Sequence, residues 1–294
     1  TANARVVGGE ALALLGDGDY ALGARALRIR ERLEAMQEAN PQDFLALQLD
    51  TRALHIDFWR NLMLDTIAWE ERDVGSDWEA LRRLAVAWDG YADADSNVYL
   101  LLREFHRRVV DAAAEAIFER CRAVYPNFES RRFTLERVVR EMVLEKPPAW
   151  LPEGHPGWDA LIAESLEAAV AAVGGAEGLE TLRWGDHNRL EMRHPLSGAL
   201  PLVGDWLNMP PSPLSGDSDV VNKLRGGFGP SQRLAVAPGR EAEGILQMPG
   251  GQSGHPLSPY YDATHAQWLA GESTPFLPGP AESALRLVPL DAEE

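Results

Sequence analysis

Proline divides this chain of 294 residues into two parts with different structural tendencies. Fourteen of the 20 prolines lie in the last 110 residues, where they interrupt helices and central strands because proline has no amide hydrogen. The sequence therefore predicts an α+β fold, with a mostly helical section over residues 20–175 and a section of loops and short strands over residues 176–294. A short segment, residues 1–19, precedes both sections.

Apolar residues recur at helical spacing through most of the first section. The clearest stripe runs over residues 97–122. Asn40-Pro41 followed by Asp43 is typical of a helix start, because the asparagine side chain caps free amides and proline fits the first turn. The predicted helices cover roughly residues 20–37, 41–49, 52–70, 76–88, 97–122 and 131–145, and a segment from Pro156 to the Gly174-Gly175 pair. A short helix is also predicted at the end of the run over residues 250–268.

The second section contains short runs that predict strands, separated by turn-forming residues. These runs are residues 219–222, 232–237, 244–248 and 284–289. Strands so few and so short do not form an independent sheet with its own core. We therefore expect them to complete a sheet whose other strands lie elsewhere.

Charge and cysteine content narrow the classes of partner. The formal net charge is −17, which disfavours binding to the phosphate backbone of nucleic acids and to anionic membrane surfaces. No apolar run reaches the length needed to span a bilayer. The single cysteine, Cys121, excludes an internal disulfide and a cysteine-based metal cluster. We expect neither nucleic acid nor a membrane as a partner.

The first residue, Thr1, is of a type that can act as an N-terminal nucleophile with its own α-amine as base. Such nucleophiles require autoprocessing or another special maturation. A chain boundary that happens to fall at threonine is therefore the favoured interpretation of Thr1.

Two groups of polar residues suggest metal binding. Asp17 and Asp19 lie in a glycine-rich turn and are the candidate calcium ligands, although two carboxylates fall short of the roughly 6–8 oxygens that calcium takes. His187, His194 and His255 would be the ligands of a metal-dependent hydrolase, but their spacing matches no compact zinc pattern. A structural role is the favoured interpretation of these histidines.

Five segments, in order along the chain, resemble the penicillin amidase (penicillin acylase) family. They are TAN at residues 1–3, FLALQLDTRAL at 44–54, AWDG at 87–90, WGDHNRLEMRHPL at 184–196 and GGQSGHPLSPYYDATHAQW at 250–268. Members of this family are amide hydrolases with an N-terminal nucleophile. The resemblance implies the C-terminal part of a β subunit, within a four-layer α/β/β/α sandwich. It also implies that residues 1–19 lie near the active site.

The resemblance assigns roles to two residues. It implies that Asn3 donates its side-chain amide to the oxyanion of the tetrahedral intermediate, where a fixed neutral donor stabilises developing charge. Arg25 matches an arginine that lies near the nucleophile and supports the site. The other arginines of the same predicted helix, at positions 28, 30 and 32, are expected to be solvated. The nucleophile itself is a serine to which no residue of this sequence corresponds.

The function implied by the resemblance is acyl transfer from an amide to that serine, followed by hydrolysis of the ester. The expected substrate is an N-acylated small molecule such as a β-lactam or an acyl-homoserine lactone. The expected partners are an α subunit and the N-terminal part of the β subunit, in the periplasm or outside the cell. No cofactor is expected, apart from a structural calcium ion that several family members carry. The 294-residue chain alone is expected to be inactive. The alternative is a non-catalytic helical scaffold that keeps the family's C-terminal segments.

Overall fold

The computed structural model describes residues 2–16, 18, 20–70, 76–128, 135–199, 204–281 and 283–288. Within these residues the chain forms twelve α-helices and one two-stranded antiparallel sheet. The predicted α+β character is therefore confirmed, with helices dominating. The four-layer sandwich implied by the resemblance stays a prediction.

The helices follow the predicted order over the first section. They are α1 Gly9–Leu15, α2 Ala24–Glu34, α3 Pro41–Gln48, α4 Ile56–Glu70, α5 Ser76–Ala87, α6 Tyr99–Val124, α7 Glu136–Glu145, α8 Trp158–Ala172, α9 Gly175–Thr181, α10 Trp184–His187, α11 Gly204–Leu207 and α12 His265–Ala270. Helices α1, α9, α10 and α11 were not predicted. Helix α8 ends at Ala172, just before the Gly174-Gly175 pair that was expected to stop it, and α9 begins at Gly175.

The start of α3 forms as the sequence predicts. The Asn40 side-chain oxygen accepts hydrogen bonds from the amides of Gln42 (2.8 Å) and Asp43 (3.2 Å). The Asp43 carboxylate in turn accepts from the Asn40 amide at 2.9 Å. This reciprocal capping satisfies amides that have no partner within the helix.

The main core is built around α6. Its predicted stripe is buried, and α4, α5, α7 and α8 contribute to the same apolar cluster. Trp59, Tyr99 and Phe105 are fully buried there, as is Trp184 from α10 with 1% exposure. Burial of aromatic side chains of this size accounts for a large share of the stabilisation of such a helical unit.

Two of the four predicted strands form. Strand β1 is Arg233–Ala235 and β2 is Ile245–Gln247, paired so that Leu234 lies opposite Leu246. The prediction of a strand over residues 219–222 is wrong, because that run forms a turn that buries the Val220 side chain in the core. Gly216 stabilises this turn, with φ of 106° and no room for a Cβ beside the Asn222 carbonyl.

The predicted strand over residues 284–289 does not form in its described part, residues 284–288, which has no regular structure. Several of its apolar side chains, including Leu285 and Leu287, are largely exposed. A strand needs a paired neighbour, and none of the described residues pairs with this run.

The segment over residues 250–268 closes on itself. Gly251 donates its amide to the Tyr261 carbonyl at 2.8 Å, and a Cβ at Gly251 would collide with the backbone of Tyr260. Trp268 at the end of the segment is buried in a second, smaller apolar cluster with Leu190 and Leu214. The glycine therefore serves a close backbone approach, and the segment is structural.

Among the helices that the structure describes, none combines the length and the apolar character required to cross a bilayer.

Candidate active site

The structure brings Asn3 and Arg25 into direct contact. The Nη2 atom of Arg25, in the first turn of α2, donates to Oδ1 of Asn3 at 3.0 Å. Asn3 lies in a turn with φ of 60°, next to Ala2 with φ of 47°. Asparagine tolerates this left-handed conformation better than most residues, which suits it to the position.

The contact fixes the orientation of the Asn3 side chain. A guanidinium only donates hydrogen bonds, so the atom facing Arg25 must be the carbonyl oxygen of the amide. The Nδ2 amide group of Asn3 therefore points away from Arg25. Asn3 is exposed, and no described residue partners this amide group. The arrangement presents a neutral donor whose direction is set by its neighbour.

Asn3 is held by a further hydrogen bond, and Arg25 is held by burial. The Ala21 amide donates to the Asn3 carbonyl at 3.0 Å, which ties the first turn to the segment before α2. Arg25 is only 7% exposed, and its Nε atom is buried without a partner among the described residues. A buried cation with an unsatisfied donor costs free energy unless a further group pairs with it.

Helix α2 is anchored through Arg28. Its guanidinium contacts both carboxylate oxygens of Asp50, with Nη2–Oδ2 of 2.8 Å and Nε–Oδ1 of 3.1 Å. The Asp50 side chain is 3% exposed and that of Arg28 is 17% exposed. The prediction that Arg28 is solvated is therefore wrong, because it pairs with a buried carboxylate. Arg30 remains mostly exposed, as predicted.

The segment between Asn3 and Arg25 exposes several apolar side chains. Helix α1 contains no buried residue. Leu14 is 87% exposed, while Val6 and Leu15 are each 68% exposed. We call residues 2–34 the N-terminal edge.

The remaining candidates from the sequence do not join this site. Thr1, Asp17 and Asp19 lie outside the described residues, so the nucleophile and calcium interpretations stay untested. His194 and His255 each accept a hydrogen bond at Nδ1, at 3.1 Å, from an amide two residues later. Within the part of the chain that the structure describes, no three His, Cys, Asp or Glu residues are grouped to hold a metal. His187, instead, stacks on Trp184 at 5.8 Å.

A buried polar cluster around Glu136 was not predicted. Its carboxylate accepts from Trp59 Nε1 at 2.8 Å and from Arg140 Nε at 2.6 Å, and lies 2.7 Å from His106 Nε2. Burial raises the pKa of Glu136, but the hydrogen bond and charge of His106, with Arg140 and Trp59, outweigh it and lower this pKa to about 2. The sequence contained one signal for this cluster. Trp59 lies in a predicted helix, and a buried indole N–H requires a hydrogen-bond acceptor.

A second buried cluster centres on Asp217. Tyr99 donates to its carboxylate at 3.1 Å, Arg103 Nε at 2.5 Å and the Ser218 amide at 2.7 Å. Burial raises the pKa of Asp217, but the charge of Arg103 and the Ser218 amide outweigh it and lower the pKa. This cluster lines a cavity that also includes His55. Its members come from distant parts of the chain, so no local motif signals them.

Comparison with known proteins gives two findings. The model of the family described as Penicillin amidase matches residues 1–284. A curated relative, "Penicillin acylase 2 proenzyme" from Pseudomonas sp. (strain SE83), is 30% identical over 269 residues. That alignment covers 86% of this chain and 33% of the relative, so the chain spans about a third of the relative's length.

Proposed function

This chain belongs to the penicillin amidase family, and we propose that it supplies the oxyanion-binding side of an amide hydrolase active site. The observation that carries the proposal is the hydrogen bond from Arg25 Nη2 to Asn3 Oδ1. It joins the two residues to which the family resemblance gives roles, although they lie 22 positions apart.

In the proposed reaction, the hydroxyl oxygen of an N-terminal serine outside this sequence attacks the carbonyl carbon of the substrate amide. The serine proton passes to the serine's own α-amine and then to the leaving nitrogen. The carbonyl oxygen becomes an oxyanion, and Asn3 Nδ2–H donates to it. Collapse of the intermediate breaks the C–N bond, and water then hydrolyses the acyl ester.

Arg25 has a positioning role in this proposal. Its guanidinium holds Asn3 Oδ1, so the amide is already aimed before charge develops and requires no reorientation in the transition state. The hydrogen bond also polarises the amide and makes its N–H groups better donors. Arg28 and its pairing with Asp50 keep the helix that carries Arg25 in place.

The proposed substrate is an N-acylated small molecule such as a β-lactam or an acyl-homoserine lactone. The printed name of the relative, a penicillin acylase, supports this class without choosing within it. The proposed partners are an α subunit and the N-terminal part of a β subunit, in the periplasm or outside the cell. The relative's description as a proenzyme supports partners made by processing. The exposed apolar residues of the N-terminal edge support a partner at that surface.

The decisive variant is Asn3→Ala in the full-length protein, assayed with chromogenic phenylacetyl and long-chain acyl amides. Loss of one oxyanion donor is expected to lower kcat by about 10²–10³-fold, with a small change in KM. Asn61→Ala is the matched control, because Asn61 is an exposed asparagine on α4.

Unchanged kcat in Asn3→Ala would remove Asn3 from the oxyanion role. A full-length protein that cleaves none of the amides would favour the scaffold alternative. The 294-residue chain by itself is expected to show no turnover, and enzyme-like rates from it would return attention to Thr1.

A further inference from the structure

A cavity of about 230 Å³ lies beside α6, apart from the Asn3–Arg25 pair. Its walls come from the residue before α4, from α6, and from the turn over residues 217–219 together with Arg225. No residue of the proposed oxyanion site contributes to it. The cavity is therefore separate from that site.

One part of the wall offers guanidinium groups. Arg103 uses Nε for its bond to Asp217, and neither of its terminal nitrogens has a hydrogen-bond partner among the described residues. Arg225 donates from Nη1 to the Ser218 hydroxyl at 3.2 Å and forms no ion pair within the described part of the chain. Free guanidinium nitrogens match the two oxygens of a carboxylate.

Another part of the wall offers a carboxylate. Asp219 forms no ion pair with any described residue, whereas Asp217 is neutralised by Arg103. The remaining charged residues of the wall, Arg107 and Asp111, pair with each other at 2.9 Å. Among the described residues that line the cavity, Arg225 and Asp219 are then the charged side chains that form no ion pair.

His55 adds an unpartnered polar group. It is 6% exposed, and its Nδ1 atom is buried with no hydrogen-bond partner in the described residues. Burial lowers the pKa of His55, so the ring is neutral near pH 7 and has one donor and one acceptor nitrogen. A buried nitrogen without a partner is costly, and a bound polar molecule or water would remove that cost.

We propose that this cavity binds a small zwitterion of the α-amino acid class. The carboxylate of the ligand lies against the Arg103 and Arg225 guanidiniums, and its ammonium group lies against Asp219. A ligand with only a carboxylate would be repelled by Asp219, and a ligand with only an ammonium group would be repelled by the two guanidiniums. A molecule carrying both groups satisfies both walls. Val110 gives the cavity an apolar portion that suits a small aliphatic side chain.

The test uses three probes of closely similar shape in titration calorimetry with the full-length protein. They are valine, isovalerate, which lacks the ammonium group, and isobutylamine, which lacks the carboxylate. Valine is expected to bind saturably and roughly 10–100-fold more tightly than either analogue, because each lost pair is a charge-assisted contact. Equal affinity of valine and isovalerate, or no saturable binding of valine, would overturn the proposal.

Variants locate the binding. Asp219→Asn is expected to reduce the affinity for valine to that for isovalerate, and Arg225→Gln to reduce it to that for isobutylamine. Arg193→Gln removes an exposed arginine outside the cavity and is expected to leave all three affinities unchanged. Valine binding that survives Asp219→Asn unaltered would place the ligand elsewhere and contradict the assignment. Amide hydrolysis in the same variants is expected to be unchanged, so failure here is separable from failure of the proposed function.

Discussion

The helical core, formed by α4 to α8, and the N-terminal edge, residues 2–34, differ in how completely they bury their side chains. In the core, Trp59, Tyr99 and Phe105 are fully buried. In the edge, α1 buries nothing and Leu14 is 87% exposed. Yet the edge contains Arg25, which is 7% exposed and holds Asn3 in a fixed orientation.

This difference indicates that the core and the N-terminal edge have different roles. The core neutralises its buried charges internally, as the hydrogen bonds of Trp59 and Arg140 to Glu136 illustrate. The edge holds a polar pair in place, but the Asn3 amide group and Arg25 Nε have no hydrogen-bond partner among the described residues, and several apolar side chains of the edge are exposed. A reacting group must be accessible to the substrate. We therefore expect the chemistry at the N-terminal edge and most of the folding stability in the helical core.

The largest effect is expected from Trp59→Ala. Removing a fully buried indole from the core should destabilise the protein by about 3–5 kcal/mol, through lost burial and the cavity that remains. Urea unfolding of the full-length protein measures this. Trp150→Ala, at a site 45% exposed, is the control and is expected to cost far less. Equal losses from the two variants would contradict the view that stability resides in the core.

Acid is expected to weaken the core through Glu136. Its folded-state pKa of about 2 lies below its ordinary value of 4.5, so the folded form binds fewer protons than the unfolded form between these limits. Stability from this group is thus complete above about pH 4.5 and is lost as pH falls toward 2, a loss of about 3 kcal/mol.

Comparison with Glu136→Gln isolates this contribution. The stability gap between wild type and Glu136→Gln should narrow as pH falls from 4.5 to 2, measured by urea unfolding at each pH. Glu141→Gln, at an exposed position on the same helix, should leave the pH profile as it is. A gap that stays constant over this range would show that the carboxylate is not stabilised by the fold.

The sequence predicted the core better than the second section, for a physical reason. A stripe such as residues 97–122 repeats over several turns, so periodicity identifies it despite irregular neighbours. Helices of four to seven residues, such as α10 and α9, are too short for a period to show. Residues 219–222 look like a strand, but burial of Val220 within a glycine-supported turn overrides that local preference.

Local sequence pattern reveals neither the Asn3–Arg25 pair nor the cavity beside α6. Asn3 and Arg25 were identified only through the family resemblance, since nothing in a lone asparagine and arginine 22 residues apart indicates contact. The residues that line the cavity beside α6 match no sequence motif. His55, Arg103 and Asp217 meet there only because the fold brings three distant segments together. Long-range contacts of this kind cannot be read from local pattern.

An intermediate effect is expected from Arg25→Met in the full-length protein. Losing its charge-assisted hydrogen bond to Asn3 should cost about 1.5–3 kcal/mol of transition-state stabilisation, or roughly 10–100-fold in kcat. KM is expected to stay nearly constant, because the ground state does not depend on the oxyanion donor. Arg30→Met, an exposed arginine on the same helix, is the control. A rise in KM at constant kcat would instead assign Arg25 to substrate binding.

An effect no larger than that of Arg25→Met is expected from Leu14→Gln, and its size tests whether the edge is covered in the full-length protein. At a surface that stays in water, this substitution changes stability by no more than about 0.5 kcal/mol. Burial against another part of the protein would raise the cost to about 1.5–3 kcal/mol, because an apolar side chain would leave an apolar environment. We expect the larger value, measured by urea unfolding. Val124→Gln, at an 88% exposed site on α6, is expected to give the smaller one. If both variants are neutral, Asn3 and Arg25 lie on an open surface, and the difference between edge and core is one of packing alone.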